Sequence, residues 1–351
     1  MNNVEISENL NRIQECLSHL RTKDEDARRR TNEDEDLIIK NDSPYRMDAD
    51  YKIGPSKAFR RLPYKTQVVT HPRNVHVRSR ASHTEEVTSI AVLMAHVLGF
   101  NVSLARAIAK GHDIGHTPFG HIGEEFLSDV TGKPFRHEIF GVVLAQKIER
   151  LGNGLNLTHQ TLEGMRLHSR GFGEISLDQT QSPEASVVMF ADKFAYTTGD
   201  YNDFKRFQLN LKSWDKLHQV MRSLGETQRE RVNNLAASLC LESEKRGFVS
   251  FCQSKESEIF SAIRKEMSKI YPIFNIHQSK DVMARIYEFI KKIIDDVDPA
   301  IALALMTDND VMHLASKNVL DITSLMETTL WEILPILQGR QIDWSDPDLD
   351  W

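Results

Sequence analysis

The segment HDIGHTPFGHIGEE, which begins at His112, places three histidines and three acidic residues among glycines and a proline. Neutral imidazole and carboxylate are the usual ligands of a borderline divalent ion, and a catalytic centre keeps coordination positions open for water and substrate. One histidine on an apolar helix is more often a hydrogen-bonded core residue than a ligand. His112, Asp113, His116 and His121 together exceed what packing asks for. The segment falls where a helix runs into a turn containing glycine and proline, so backbone can approach a ligand closely and side chains can converge. The chemistry to expect is that of a divalent metal centre.

An anionic substrate would need positive charge gathered locally. The formal net charge of −6 sets aside a uniformly basic nucleic-acid binder but leaves room for a basic groove. KAFRRLPYK at 57–65 and HPRNVHVRSR at 71–80 supply such charge, although stretches of this kind are commonly just solvated surface. His71 and His76 in the second stretch fit a substrate entrance or a plain surface equally. Cys16, Cys240 and Cys252 are scattered without CxxC spacing, which fits a reducing compartment and argues against a disulfide framework or a thiolate zinc site. No apolar run approaches the roughly 18 residues of a membrane span, and the N-terminus does not read as a signal peptide. A cytoplasmic protein is expected.

Helices must position the cluster. Leu10, Ile13, Leu17 and Leu20 recur at helical intervals over 7–20, and mixed charge over 22–42 reads as an exposed arm. A soft boundary near residue 45 follows. Val87, Ile90, Ala91 and Met94 trace one face of a helix from Ser82 to Leu98, with Gly99 as its stop. Asn101 or Ser103 caps a second helix that runs into the cluster and stops at Gly115. Further helices are expected over about 120–130 and 134–151 and from Thr158. Ser182 followed by Pro183 opens a long one to about residue 204. KDVMARIYEFIKKIIDDV and DITSLMETTLWEILPILQ read as helical in the remainder, and almost nothing reads as a strand. The expected architecture is all-α, with 1–45 an N-terminal helix and charged arm, 46–205 the core, and 206–351 additional C-terminal helices packed on it.

The spaced series His83, then His112 with Asp113, then Asp192 resembles the metal-binding signature of the HD superfamily of phosphohydrolases. AFRRLPYKTQV, SRASHTEEV, GHDIGHTPFGHIGEE, GLNLT and ADKFAYTTGD together resemble the dGTPase-like deoxynucleoside triphosphate triphosphohydrolases, in that family's order. The resemblance implies an HD-domain helical bundle in which His83, His112, Asp113 and Asp192 bind a divalent ion: manganese, magnesium or another transition metal. It implies that His121 is the catalytic histidine beside the scissile phosphate, that Glu124 orients it, and that His137 is a further active-site histidine. His116, Arg80 and Lys193 match phosphate-contacting positions, while Gln67, Tyr196 and Asp200 match positions that hold the deoxyribose. Helical geometry agrees for the last group, because Asp192, Tyr196 and Asp200 recur at intervals of four and share a face. A solvated acidic edge is the plain alternative, but Ala191, Phe194 and Ala195 leave little room for one.

These assignments imply hydrolysis of a deoxynucleoside triphosphate, dGTP or several dNTPs, to deoxynucleoside and inorganic triphosphate. His121 would protonate or polarise the departing 5′ oxygen, and Tyr196 would reject a 2′-hydroxyl. Two departures stand out. After FRH the family often continues with Asn, where this chain has Glu138; before the sugar-side carboxylate it often has His, where this chain has Gly199. Rival readings are an HD-type 5′-nucleotidase or phosphodiesterase, and a nucleotide-sensing protein with little catalysis. A homo-oligomer, tetramer or hexamer, is expected, with a nucleotide or single-stranded nucleic-acid effector as a further partner. His96, His159, His168, His218, His277 and His313 stand outside any cluster and read as structural or surface residues.

Overall fold

Helix caps written in the sequence set most boundaries of the fold. The computed structural model describes residues 2–31, 42–70, 72, 74–169, 181–207, 214–274 and 278–351. The first helix, α1 (Asn2–Leu17), is followed by a 3₁₀ turn, Ser18–Leu20. Then come α2 (Arg80–Leu98), α3 (Val102–Gly111), α4 (His121–Thr131), α5 (His137–Val143), α6 (His159–Leu167) and α7 (Pro183–Arg206). The rest carries α8 (Trp214–Leu224), α9 (Gln228–Arg246), α10 (Lys255–Met267), α11 (Gln278–Ile293), α12 (Pro299–Leu305) and α13 (Asp308–Ala315), with shorter turns between. Among the described residues no strand forms, and one isolated bridge joins Thr66 to Ser79. The fold is all-α, as expected.

Side chains of Asn101, Thr158 and Ser182 accept hydrogen bonds from the backbone N–H groups of Leu104, Thr161 and Ala185, opening α3, α6 and α7 where the sequence places them. Ser79 and Ser82 form a reciprocal cap that starts α2 at Arg80, earlier than the expected Ser82. Gly99, at φ 73°, ends it. The helix expected over 134–151 is instead α5, a π-helical turn Leu144–Ile148 and a 3₁₀ turn Arg150–Gly152. DITSLMETTLWEILPILQ is likewise broken into Ile322–Met326 and Leu334–Leu337. Asp310 draws the intervening chain inward, accepting from the backbone N–H and hydroxyl of Thr329.

The charged stretch read as an arm is tied down where it is described. Arg29 donates to the buried carboxylate of Asp48 at 2.7 Å and to the carbonyls of Asn156 and Pro44, while Thr22 bonds the buried Glu184. These partners lie far along the chain, which is why local charge pattern could not show them. Residues 32–41 fall outside the described residues.

Two apolar clusters form the interior. One joins residues of α1, α2, α3, α7, α9 and α10; the other joins α4, α5, α6 and the C-terminal helices α11–α13. Burial of this surface from water drives both. α2 packs against α3 and α7, and α3 against α6, so the end of α3 opens onto the seam between the clusters. Directly after it Gly115 lies flat on α5: a Cβ there would sit 2.1 Å from the His137 carbonyl oxygen and 2.3 Å from the Gly141 nitrogen. Gly115→Ala therefore has to move backbone rather than a side chain. Gly132, at φ 69° with nothing near its Cβ direction, provides the control. Denaturant melts should show Gly115→Ala losing well above the roughly 1–2 kcal/mol of left-handed strain expected for Gly132→Ala. Equal losses would contradict this packing.

Candidate functional site

The end of α3 fixes the first half of the site. His112 caps that helix and its Nδ1–H donates back to the carbonyl of Ala109 at 2.6 Å. The other nitrogen, Nε2, therefore carries a lone pair, and it is buried with no hydrogen-bond partner. It lies 3.4 Å from Asp113 Oδ1 and 3.9 Å from Asp192 Oδ1. From α2, His83 Nε2 lies 3.0 Å from Asp192 Oδ1 and 3.9 Å from Asp113 Oδ2. Two imidazole nitrogens and two carboxylates thus converge from three helices, and the donor set suits a divalent transition metal or magnesium. The orphaned His112 nitrogen is the sign that a ligand belongs among them.

Asp113 is shared between this group and a second one. Its Oδ2 accepts from Arg80 Nη1 at 3.0 Å, and its Oδ1 lies 3.1 Å from His116 Nε2. Burial alone would raise its carboxyl; His112, Arg80 and His116 outweigh that and hold it well below the usual carboxylate range. Burial lowers His112, so its unpartnered Nε2 stays unprotonated at neutral pH. Each nitrogen of Arg80 is engaged, since Nε and Nη2 donate to the carbonyls of Thr66 and Gln67. Arg80 thus joins the 66–67 segment to the Asp113 carboxylate.

The second group gathers His116, His121, Glu124 and His137, whose ligand-capable atoms lie within 4.8 Å of one another. His116 stacks on His137 with ring centroids 3.7 Å apart, and His121 stands edge-on to His116 at 5.2 Å. His121 is the exposed member and the first residue of α4, entered through Phe119 and Gly120, both at φ 59°. Glu124 makes its hydrogen bond with His137 Nδ1, at 3.0 Å, and its Oε1 lies 2.7 Å from His116 Nδ1 without hydrogen-bond alignment. Glu124 therefore anchors His137 by a direct hydrogen bond and lies in the same group as His121, the residue the family resemblance has it orient. Burial would lower His137, but the charge and hydrogen bond of Glu124 push it up to about 9.

His168 was read as lying outside any cluster, and the structure corrects that. Its Nδ1–H donates to the Met165 carbonyl at 2.6 Å, its Nε2 meets His137 Nε2 at 3.3 Å, and its ring stands 5.0 Å from that of His112. The end of α6 thus presents a histidine by the same backward bond that the end of α3 uses for His112. Nothing in its spacing from the other histidines announced this. His71 and His277 fall outside the described residues, and His76 is exposed.

Asp192, Lys193, Tyr196 and Asp200 line α7. Lys193 is buried, and burial pushes the Tyr196 phenol up to about 12. Asp200 accepts from Arg78 and from the Tyr271 hydroxyl at 2.8 Å; burial, partly offset by these neighbours, pushes its carboxyl up to about 6. Gln67 is buried, and its side-chain oxygen has no hydrogen-bond partner. The C-terminal half braces this side. Buried Lys65 donates to the carbonyls of His116 and Ala304, and Asp308 accepts from the backbone N–H groups of Thr66 and Phe119. Sequence reading missed Lys65, Arg78, Tyr271 and Asp308, whose partners lie too far along the chain for any periodic pattern.

Comparison with known proteins follows the same lines. The family model of the HD domain matches residues 80–197. A deoxyguanosinetriphosphate triphosphohydrolase-like protein of Caldanaerobacter subterraneus subsp. tengcongensis is 38% identical over 240 residues, covering 68% of this chain and 67% of the relative. One from Clostridium tetani is 34% identical over 265 residues, covering 74% and 75%. One from Clostridium perfringens is 42% identical over 184 residues, covering 52% and 53%.

The His137–Glu124 pair makes stability depend on pH. A histidine raised from 6.5 to about 9 contributes stability that is fully present below about 6.5 and lost as pH rises through 9. The difference in unfolding free energy between the natural protein and His137→Gln, from denaturant melts, should be widest near pH 6, on the order of a few kcal/mol, and should close above pH 9. A gap that stays constant across that range would contradict the pairing.

Proposed function

Since this chain belongs to the deoxyguanosinetriphosphate triphosphohydrolase-like proteins of the HD-domain family, we propose that it hydrolyses deoxynucleoside triphosphates, dGTP or several dNTPs, to deoxynucleoside and inorganic triphosphate. The observation that carries this reading is the convergence of buried His83, His112 and Asp113 with the partly buried Asp192 around an orphaned imidazole nitrogen. Beside it stand an exposed histidine and a helix face bearing Lys193, Tyr196 and Asp200. A divalent ion held by those four residues would neutralise phosphate charge and acidify water.

The chain's own residues divide the remaining work. His121 is the one histidine of its group that is exposed, so we assign it to protonate or polarise the departing 5′ oxygen. His137, held protonated by Glu124, places a fixed cation beside His116 where phosphate oxygens would lie. Glu124 acts on His121 through this stacked group. Lys193 adds a point charge for the triphosphate, and Arg80 combines a phosphate contact with its hold on Asp113. The orphaned oxygen of Gln67, with Tyr196 and Asp200, would enclose the deoxyribose.

In this reading 46–205 is the catalytic core and 206–351 braces it through Asp308. A cytoplasmic homo-oligomer, tetramer or hexamer, regulated by a nucleotide or single-stranded nucleic acid, completes the proposal. Met312, Val319, Ile322, Met326 and Trp331 leave apolar surface exposed that a further copy could cover.

Asp113→Ala should lose both bound metal and turnover while keeping its helical content, and undiminished turnover in metal-stripped natural protein would overturn the mechanism. His121→Ala should keep the metal and lose turnover by roughly 10²-fold or more. Turnover of dGTP should exceed that of GTP; equal rates would contradict the deoxyribose assignment.

A further inference from the structure

Gly199 sits in the interior of α7, a 24-residue helix, where glycine weakens the helix relative to alanine. The reason for it here is the guanidinium of Arg78. A Cβ on residue 199 would lie 2.1 Å from Arg78 Nη1 and 2.3 Å from its Cζ, so no larger residue fits while Arg78 keeps its place. Arg78 crosses from the segment before α2 and lays its planar group against α7.

Every nitrogen of that guanidinium is spent inside the protein. Nε donates to Asp203 at 2.8 Å, Nη1 to Glu86 at 2.9 Å and to the Ala195 carbonyl at 3.2 Å, and Nη2 to Asp200 Oδ1. The side chains of Arg78, Asp200 and Asp203 are all nearly inaccessible. One rigid fork thus bridges two carboxylates on successive turns with fixed directions, where the ammonium of a lysine would act as a rotatable point charge. The other oxygen of Asp200 accepts from the Tyr271 hydroxyl. Each carboxylate oxygen can accept two hydrogen bonds, so both keep acceptor capacity while the plane of the group is fixed from both ends.

We propose that Arg78, seated in the space that Gly199 leaves, is a positioning residue that aligns Asp200 with the 3′-hydroxyl of the substrate sugar and so sets selection for substrates that carry it. This rests on the reading of Asp200 as a sugar contact. An aligned acceptor meets the hydroxyl without reorganising and is left unpaired by a sugar that lacks one, which is how a polar site discriminates strongly. A merely structural Arg78 would join α2 to α7 and treat both sugars alike.

The test compares kcat/KM for dGTP and for 2′,3′-dideoxy-GTP in the natural protein, Arg78→Gln, Arg78→Lys and Gly199→Ala. Each variant should lose roughly 10- to 100-fold on dGTP, as expected when a charge-assisted hydrogen bond is misaligned. The dideoxy substrate should lose far less, so the preference collapses while metal content and helicity stay unchanged. Gly199→Ala removes no charge and decides the matter if Arg78→Gln does not fold. Equal losses on both substrates would overturn the role of Arg78 alone; a natural protein with no preference between them would overturn the reading of Asp200 as a 3′-hydroxyl contact and the role of Arg78 with it. A natural protein that turns over no dNTP would overturn the proposed function, and this inference with it.

Discussion

Burying the Asp113 carboxylate is the constraint around which the site is arranged. An ionised carboxylate removed from water is costly unless it is paired and hydrogen-bonded on both oxygens. Arg80 takes one oxygen, and His116 and His112 approach the other. Those partners in turn require support. Arg80 holds the carbonyls of Thr66 and Gln67, while His112 leans back on Ala109. Asp113 thereby couples the four residues proposed to hold a metal to the histidine group that would face phosphate.

That coupling reaches beyond the HD-domain segment. Residues 80–197 contain the four residues proposed to hold the metal, yet Lys65 ties the carbonyl of His116 to that of Ala304. Asp308 holds Thr66 and Phe119 together, fixing the turn that delivers His121. Burial, outweighing Asp308 and Asp310, pushes the Lys65 ammonium down to about 7. The C-terminal helices thus pack the second apolar cluster and also set the geometry of the turn at His121.

Much of this was legible in the sequence because its signals are local. Asn101, Thr158 and Ser182 announce helix starts by side-chain capping, and the four-residue interval of Asp192, Tyr196 and Asp200 announces a shared face. The density of His112, Asp113, His116 and His121 announces a centre. What stayed hidden depends on distant pairings. His168 reaches His137 because α6 packs against α5, Arg29 is buried by Asp48 and the Asn156 carbonyl, and Asp310 breaks a segment that reads as a continuous helix. Charge and periodicity describe a chain's neighbours in sequence; these contacts are set by tertiary packing.

The central claim is that the metal group and His121 act together on the phosphorus nearest the sugar. Hydrolysis of the four dNTPs, singly and mixed, in ¹⁸O-labelled water with manganese or magnesium addresses it directly. The account predicts deoxynucleoside and tripolyphosphate in equal amounts, with the label in the tripolyphosphate. Release of orthophosphate or of a deoxynucleoside monophosphate, or label in the 5′-hydroxyl, would contradict it.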